Sequence, residues 1–220
     1  YEITTRLVGS EMCIRDSIVV VHKFSNGTYL ECQDMFRDNG IFRDVYITKT
    51  TDNSIYDFRA VTKYNGGTSY SLSVIPVLKI SDECEFGVNV IRKGELVASK
   101  SVNVSENNID KIEFSDLKVE EWSAEIPNTY HLVITLSQGG NLIEVINRPI
   151  GFKHIKINGN VFTFNNKGIK LQGVNHHDTD AKTGYVMSVD DMERDVKIFK
   201  EYNVNLSLIH ISEPTRRVVI

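Results

Sequence analysis

The amino-acid sequence predicts a mainly β protein in three successive parts: the end of one β-domain, an immunoglobulin-like β-sandwich, and the first βα unit of a larger α/β domain. Three observations lead there. Short alternating or β-branched runs recur between residues 54 and 150 with Gly-containing turns between them. An earlier stretch, Ile18 to Ile47, also has strand character. After Gly151 the pattern changes to a hairpin, an apolar strand and then a stretch of helical period.

In the first part the order is IVVVHKF, a turn at Ser25-Asn26-Gly27-Thr28, YLECQDMF, and IFRDVYI after Asp38-Asn39-Gly40. Asn-Gly pairs supply the positive φ angles of tight hairpin turns, so strand, turn and strand are expected here. The second part contains SIYDFRAVTKY, YSLSVIPVLKI, ECEFGVNVI, LVASKSVNV, TYHLVITLS and LIEVINRPI, punctuated by Gly66-Gly67, Lys93-Gly94 and Gln138-Gly139-Gly140. Roughly seven strands at this spacing predict the sandwich. In the third part FTFNNKGIKLQGVN reads as a hairpin feeding a buried strand from Ile169 to Val174, and a helix follows over about Val189–Tyr202. Ser188 with Asp191 resembles a capping box, Asp190 and Asp191 suit a helix N-terminus, and Val189, Met192, Val196 and Phe199 share one face.

The chain has 220 residues, 41% of them hydrophobic, which is enough for a packed core in one large or two ordinary domains. Its net charge of −4, with no dense Lys/Arg run, lacks the basic footprint that holds nucleic acid. No apolar stretch is long enough to span a bilayer, and no signal-peptide pattern precedes the first strand. Cys13, Cys32 and Cys84 are scattered without the close spacings of zinc or redox sites, so reduced core thiols are expected.

The two ends carry a different signal. Leu206 to Arg216, LSLIHISEPTR, is what one frame of a transposon-based sequencing adapter encodes, and Leu7 to Ser17, LVGSEMCIRDS, fits the reverse complement of the same DNA. Residues 1–17 and 206–220 are therefore expected to be adapter-derived; the competing reading is a genuine N-terminal strand and C-terminal helix.

Four segments resemble glycoside hydrolase family 2. Gly27 to Val45, GTYLECQDMFRDNGIFRDV, is similar to the end of that family's sugar-binding domain. Trp122 to Tyr130, WSAEIPNTY, and Arg148 to Ile155, RPIGFKHI, resemble the end of its sandwich domain. Leu171 to Tyr185, LQGVNHHDTDAKTGY, is similar to its first barrel strand and following loop, in the β-galactosidase version. Phe36 stands where the family often has Trp, and His176 where Arg is commoner. The resemblance implies residues 18–50 as the end of a jelly-roll sugar-binding domain, 51–150 as the sandwich, and 151–205 as the start of a truncated (β/α)8 catalytic barrel.

By the same resemblance Asp34 reaches the galactose site and helps hold a sodium ion; read alone, it is a turn carboxylate beside Arg37 or Arg43. His177 matches a histidine at the C-terminal end of the first barrel strand that bonds a galactose hydroxyl in the transition state, and Asn175 is close to the site by position. His176-His177-Asp178-Thr179-Asp180 could be read as a metal cluster, but consecutive strand residues face opposite ways, and a solvated loop is the bland alternative. Arg43 with Asp44 is expected as a structural pair at a domain seam, and Trp122 and Pro127 as sandwich packing.

Retaining glycosidases use two carboxyl groups about 5 Å apart. In the family these lie on later barrel strands, so the implied parent hydrolyses terminal β-D-galactosides such as lactose, while this stretch is expected to be inactive. The resemblance also implies sodium and magnesium in the parent, most of the magnesium ligands lying elsewhere, a galactoside substrate, a homo-oligomer and a cytoplasmic location. Two alternatives stay open: a non-catalytic carbohydrate-binding or interaction sandwich, and a same-family hydrolase for another sugar, a β-glucuronide or β-mannoside.

Overall fold

A computed structural model of the chain describes residues 3–5, 17–30, 40–41, 44–46, 49–105 and 109–208. It divides into two compact units, Thr48–Lys170 and a second made of Tyr1–Ile47 with Leu171–Ile220.

The first stretch holds β1 (Ile3–Thr5) and β2 (Ser17–Val19), an antiparallel pair, and a single helical turn, α1 (Asn26–Leu30). The expected turn at Ser25 to Thr28 is present, but it continues as a helix instead of entering a strand at Tyr29. Thr28 N–H donates to Ser25 C=O (3.1 Å) while Ser25 N–H donates to the Thr28 hydroxyl (3.0 Å), a reciprocal closure that competes with hairpin geometry. The next expected strand, YLECQDMF, lies mostly outside the described residues, as do Asp34, Arg37, Arg43, Cys13 and Cys32.

Seven strands then build the sandwich: β3 (Ser54–Gly66), β4 (Ser69–Lys79), β5 (Cys84–Arg92), β6 (Glu95–Val104), β7 (Ile112–Lys118), β8 (Tyr130–Gln138) and β9 (Asn141–Ile150). All pairings are antiparallel, in a three-stranded sheet ordered β3-β4-β7 and a four-stranded sheet ordered β6-β5-β8-β9. The fourth strand thus joins the sheet of the third, whereas a constant-type immunoglobulin sandwich puts it in the other sheet. The turn Lys93-Gly94 sets this: both residues have positive φ (49° and 85°), the two-residue hairpin turn that returns β6 directly beside β5.

The core follows the two-residue period. Tyr70, Leu72 and Val74 of β4, Phe86, Val88 and Val90 of β5, and Leu132, Ile134 and Leu136 of β8 are all fully buried. β7 is a strand that none of the six runs quoted from the sequence contains. Its alternation breaks, because Ile112 and Phe114 are buried and then Leu117, and Asp116 between them has φ 54°. The register against β4 shifts there, a bulge that turns Leu117 back inward. Asn53, buried at the entrance to β3, is satisfied: its Oδ1 accepts from the N–H groups of Ser81 (2.7 Å) and Asp82 (3.2 Å). Cys84 is a buried free thiol in this core, and burial pushes its pKa up.

Past β9 the chain re-enters the core. Phe152 is fully buried, edge-to-face with Tyr130 (5.1 Å, 88°) and Tyr70 (5.7 Å, 68°), and its C=O accepts from Trp122 N–H (2.8 Å). The Tyr70 hydroxyl donates to Glu121 (2.7 Å); burial and that carboxylate push its pKa well up. Trp122 does not enter the sandwich core. It lies over Gly151 and Phe164, with the Lys153 ammonium 4.8 Å from its ring, and Pro127 is exposed in the loop. A small sheet follows, β10 (Ile155–Asn158), β11 (Val161–Phe164) and β12 (Lys167–Gly168). Asn165 and Asn166, both at positive φ, make the tight turn between the last two. Asn165 bonds Trp122 C=O (2.9 Å), and the His154 ring stacks on Tyr64 (3.9 Å, 3°) and meets Asn166 Oδ1 at 3.1 Å. The hairpin therefore belongs to the sandwich's compact unit, so the expected division after residue 150 does not coincide with the unit's end at Lys170.

The last elements are β13 (Gly173–Asn175), α2 (Val189–Glu201) and β14 (Leu206–Leu208), with β13 and β14 parallel. The expected buried strand over Ile169–Val174 is shorter and more exposed, since the described residues give it one neighbour, β14. β14 falls within the stretch read as adapter-derived. The capping box forms as expected: Ser188 accepts from Asp191 N–H (3.2 Å) and Asp191 accepts from Ser188 N–H (3.1 Å). At the other end Asn203, at φ 58°, donates to Lys200 C=O and Val204 donates to Phe199 C=O, a Schellman termination. No helix of the described residues is long and apolar enough to cross a membrane.

Two expectations follow. Phe152→Ala should cost the sandwich about 3–5 kcal/mol, and Gly151→Ala about 1–3 kcal/mol because its Cβ would sit 2.9 Å from Trp122, both read by denaturant unfolding. Hydrogen bonds from Ser188, side chain first, hold the Asp191 carboxyl below its ordinary pKa, so its contribution is present above the unfolded pKa and is lost as pH falls through the lower folded value. Amide protection in α2, measured against the intrinsic exchange rate at each pH, should therefore fall on acidification through that range, and Asp191→Ala should remove this acid-side step.

Candidate functional site

The candidate residues cluster where β13 ends. Asn175 is its last residue and is exposed, with Leu208 opposite; His176, His177 and Asp178 follow, half-buried, before a tight loop. The strand's position relative to β14 is held by a side chain: Gln172 N–H donates to Asn205 Oδ1 (2.8 Å), and Asn205 N–H donates back to Gln172 C=O (3.0 Å). This mutual clasp is the parallel pair's first rung, and it uses a side-chain oxygen acceptor at 205.

The two histidines part company. His176 faces α2, with Nε2 3.4 Å from Asp178 Oδ1 and 3.7 Å from Asp195 Oδ2, and its ring meets Phe199 edge-on (5.0 Å, 86°). His177 C=O accepts from Thr179 N–H (2.8 Å), which bends the chain away from the strand direction. The expectation that neighbouring histidines do not share an ion rested on strand alternation, and His176 is directed onto the helix.

The loop beyond is built around Asp180. Its Oδ1 accepts from Lys182 N–H (2.8 Å) and Thr183 N–H (3.2 Å), and its backbone pairs in both directions with Gly184. The Lys182 amide first, then the Thr183 amide, holds the Asp180 carboxyl below its ordinary pKa. Thr183 Oγ1 donates to Val186 C=O (2.5 Å), and Met187 is buried just before the Ser188 cap. Asp180 is thus a loop-building carboxylate, a role its position next to the histidines did not reveal; the Asp-x-x-Thr spacing was the available signal.

Elsewhere, Glu120 pairs with Arg92, and Glu121 holds the Tyr70 hydroxyl and lies 3.8 Å from His154 Nδ1. Both serve the sandwich in the stretch just before Trp122. Asp34, given a sodium ion by resemblance, lies outside the described residues, and among the described residues no three His, Cys, Asp or Glu side chains gather as a metal would require. No chemical step is therefore assigned to sodium or magnesium.

Comparison with known proteins follows these elements. The model described as "Glycosyl hydrolases family 2" matches residues 41–153, and that described as "Glycosyl hydrolases family 2, TIM barrel domain" matches residues 155–208. The boundary between the two matches falls at His154, two residues after the buried Phe152. Among curated relatives, a β-galactosidase of Staphylococcus xylosus is 35% identical over 188 residues, 85% of this chain and 18% of that protein. One from Actinobacillus pleuropneumoniae is 31% identical over 187 residues, with the same two shares. The chain spans about a fifth of the length of these relatives, 18% in both cases. Among solved structures, a β-glycosidase from Bacteroides vulgatus superposes with a TM-score of 0.71 at 20% identity, covering 77% of this chain and 22% of that one. A β-glucuronidase from Ruminococcus gnavus does so at 0.60 and 19%, covering 71% and 25%. At these identities the structures share the fold alone. With one family model matching more than half of the chain and a second taking up where it stops, the chain belongs to glycosyl hydrolase family 2.

Proposed function

We propose that this chain is the part of a retaining β-galactosidase that carries the sandwich and the first barrel strand, and that the whole protein hydrolyses terminal β-D-galactosides such as lactose. The single observation that carries the reading is the strand end Asn175-His176-His177, at the C-terminal edge of a strand that enters a βαβ unit within the barrel match. Barrel enzymes place their site residues at that edge. With His176 turned onto α2, the exposed Asn175 and its near neighbour His177 are the residues of this strand end that the reading assigns to the sugar. The curated relatives named above are β-galactosidases, which favours galactose over the glucuronide of the more distant structural neighbour.

In this reading His177 donates or accepts a hydrogen bond at a galactose hydroxyl, and the bond tightens as the ring flattens toward an oxocarbenium-like transition state. Asn175 lines the same edge, and Asp34 approaches from the sugar-binding domain. The nucleophile and the acid/base come from other strands. The carboxylates near this strand end have local duties: Asp178 and Asp195 flank His176, and Asp180 closes its loop. This stretch alone therefore performs no turnover. The parent uses sodium, held in part by Asp34, and magnesium, and works as a cytoplasmic homo-oligomer.

Two measurements test this. The isolated 220-residue chain should release no product from a chromogenic β-galactoside above a blank, and activity would overturn the assignment of the carboxylates elsewhere. In the full-length protein His177→Ala should lower kcat by about a hundredfold or more with a small change in KM, since the lost bond is strongest in the transition state. A change in KM alone would make His177 a uniform binding contact with no transition-state preference, and unchanged kcat and KM would place it away from the sugar.

A further inference from the structure

We propose that His176 is a positioning residue: its imidazole ties the end of β13, the loop and α2 together, and so sets the direction in which Asn175 and His177 point. The proposal rests on the reading above that this strand end forms part of a galactoside site. His176 touches no substrate in it and acts only through its neighbours.

The case begins with how little else holds the helix. α2 has no buried residue, and two residues of its expected apolar face, Val189 and Val196, are 71% and 54% exposed. Side-chain burial of that face therefore fixes its position only weakly. What the strand end presents to α2 is His176. The Nε2 atom faces two carboxylates of different origin, Asp178 from the loop and Asp195 from the helix, at 3.4 and 3.7 Å. With its proton on Nε2 the ring turns the positive end of an N–H dipole toward both carboxylates, the Asp195 oxygen lying beyond hydrogen-bond distance. Phe199, one turn beyond Asp195, meets the ring edge-on and blocks its rotation.

Three side chains from two segments, the loop and α2, thus converge on one ring, and each restrains a different motion. Asp195 resists separation of helix and strand, Asp178 resists swinging of the loop, and Phe199 resists rotation of the imidazole. Arg194 lies 3.9 Å from the other oxygen of Asp195 and also pairs with Asp191 at 2.9 Å, which links the ring's carboxylate to the helix cap. Because His176 is flanked directly by Asn175 and His177, a change in its χ angles or backbone is felt at both. A displacement of the order of 1 Å at a substrate-facing group can cost about a hundredfold in rate.

The test uses the full-length protein and two readouts. In steady-state hydrolysis of a chromogenic β-galactoside, His176→Leu should lower kcat by about tenfold or more while KM changes by less than about threefold. His176→Gln, which keeps a donor, should recover most of the loss. Asp195→Ala should give a similar kcat loss, and the double variant should be no slower than the slower single, because both remove one tether. In hydrogen exchange by mass spectrometry, peptides spanning residues 173–180 should exchange faster in His176→Leu and Asp195→Ala, with sandwich peptides unchanged. Unaltered exchange there, or additive kcat losses, would overturn the proposal, as would a lower melting temperature with kcat intact, the mark of a residue that only stabilises. If the unaltered protein does not hydrolyse β-galactosides but the exchange shifts as described, the functional reading fails and the positioning role stands.

Discussion

The burial of Phe152 is the constraint from which the sandwich's lower end follows. Its ring fills the space between Tyr70 of one sheet and Tyr130 of the other, so the chain leaving β9 has to turn inward before it can go anywhere else. Once it does, Gly151 comes so close to Trp122 that no side chain fits at that position, and the Phe152 carbonyl captures the Trp122 amide. Trp122 is then turned outward over Phe164, and Asn165 reaches back to the Trp122 carbonyl. Each of these contacts needs the one before it. A hairpin that the sequence places with the barrel is in consequence fastened to the sandwich, with Tyr64 and Asn166 closing the seam around His154.

The βαβ unit is held by different means. The sandwich is ordered by interdigitated apolar side chains, whereas β13, α2 and β14 are ordered by polar closures: the capping box at Ser188, the Schellman turn at Asn203, the Gln172–Asn205 clasp and the His176 contacts. Such bonds fix direction well and contribute little net stability each, because water competes for every partner. Candidate site residues therefore sit on an element whose geometry is defined locally. Backbone ladder bonds, for their part, are indifferent to side-chain origin, so an apolar Leu-Ser-Leu will pair beside an exposed parallel edge whatever DNA encoded it.

Much of the fold was legible from residue pattern. Six of the seven sandwich strands, the turns at Lys93-Gly94 and Gly139-Gly140, the capping box and the helix over Val189–Glu201 all follow from local chemistry: alternation, positive φ and short-range hydrogen bonds. What escaped had its cause at a distance. β7 was obscured because the bulge at Asp116 breaks the alternation, and only the register against β4 shows why. The helical turn at Asn26 replaced a hairpin because a strand requires a neighbour, and a neighbour is not a local property.

For the site, the sequence by itself determined which residue types stand at the end of the first barrel strand, Asn175, His176 and His177, and through the resemblance of LQGVNHHDTDAKTGY the family they belong to. Only the tertiary structure decided where His176 lies. The resemblance singles out His177 and leaves the place of its neighbour open. The carboxylates that draw His176 onto α2 come from residues 178 and 195, and the ring that stops its rotation from 199, partners that become neighbours only when the helix folds back along the strand.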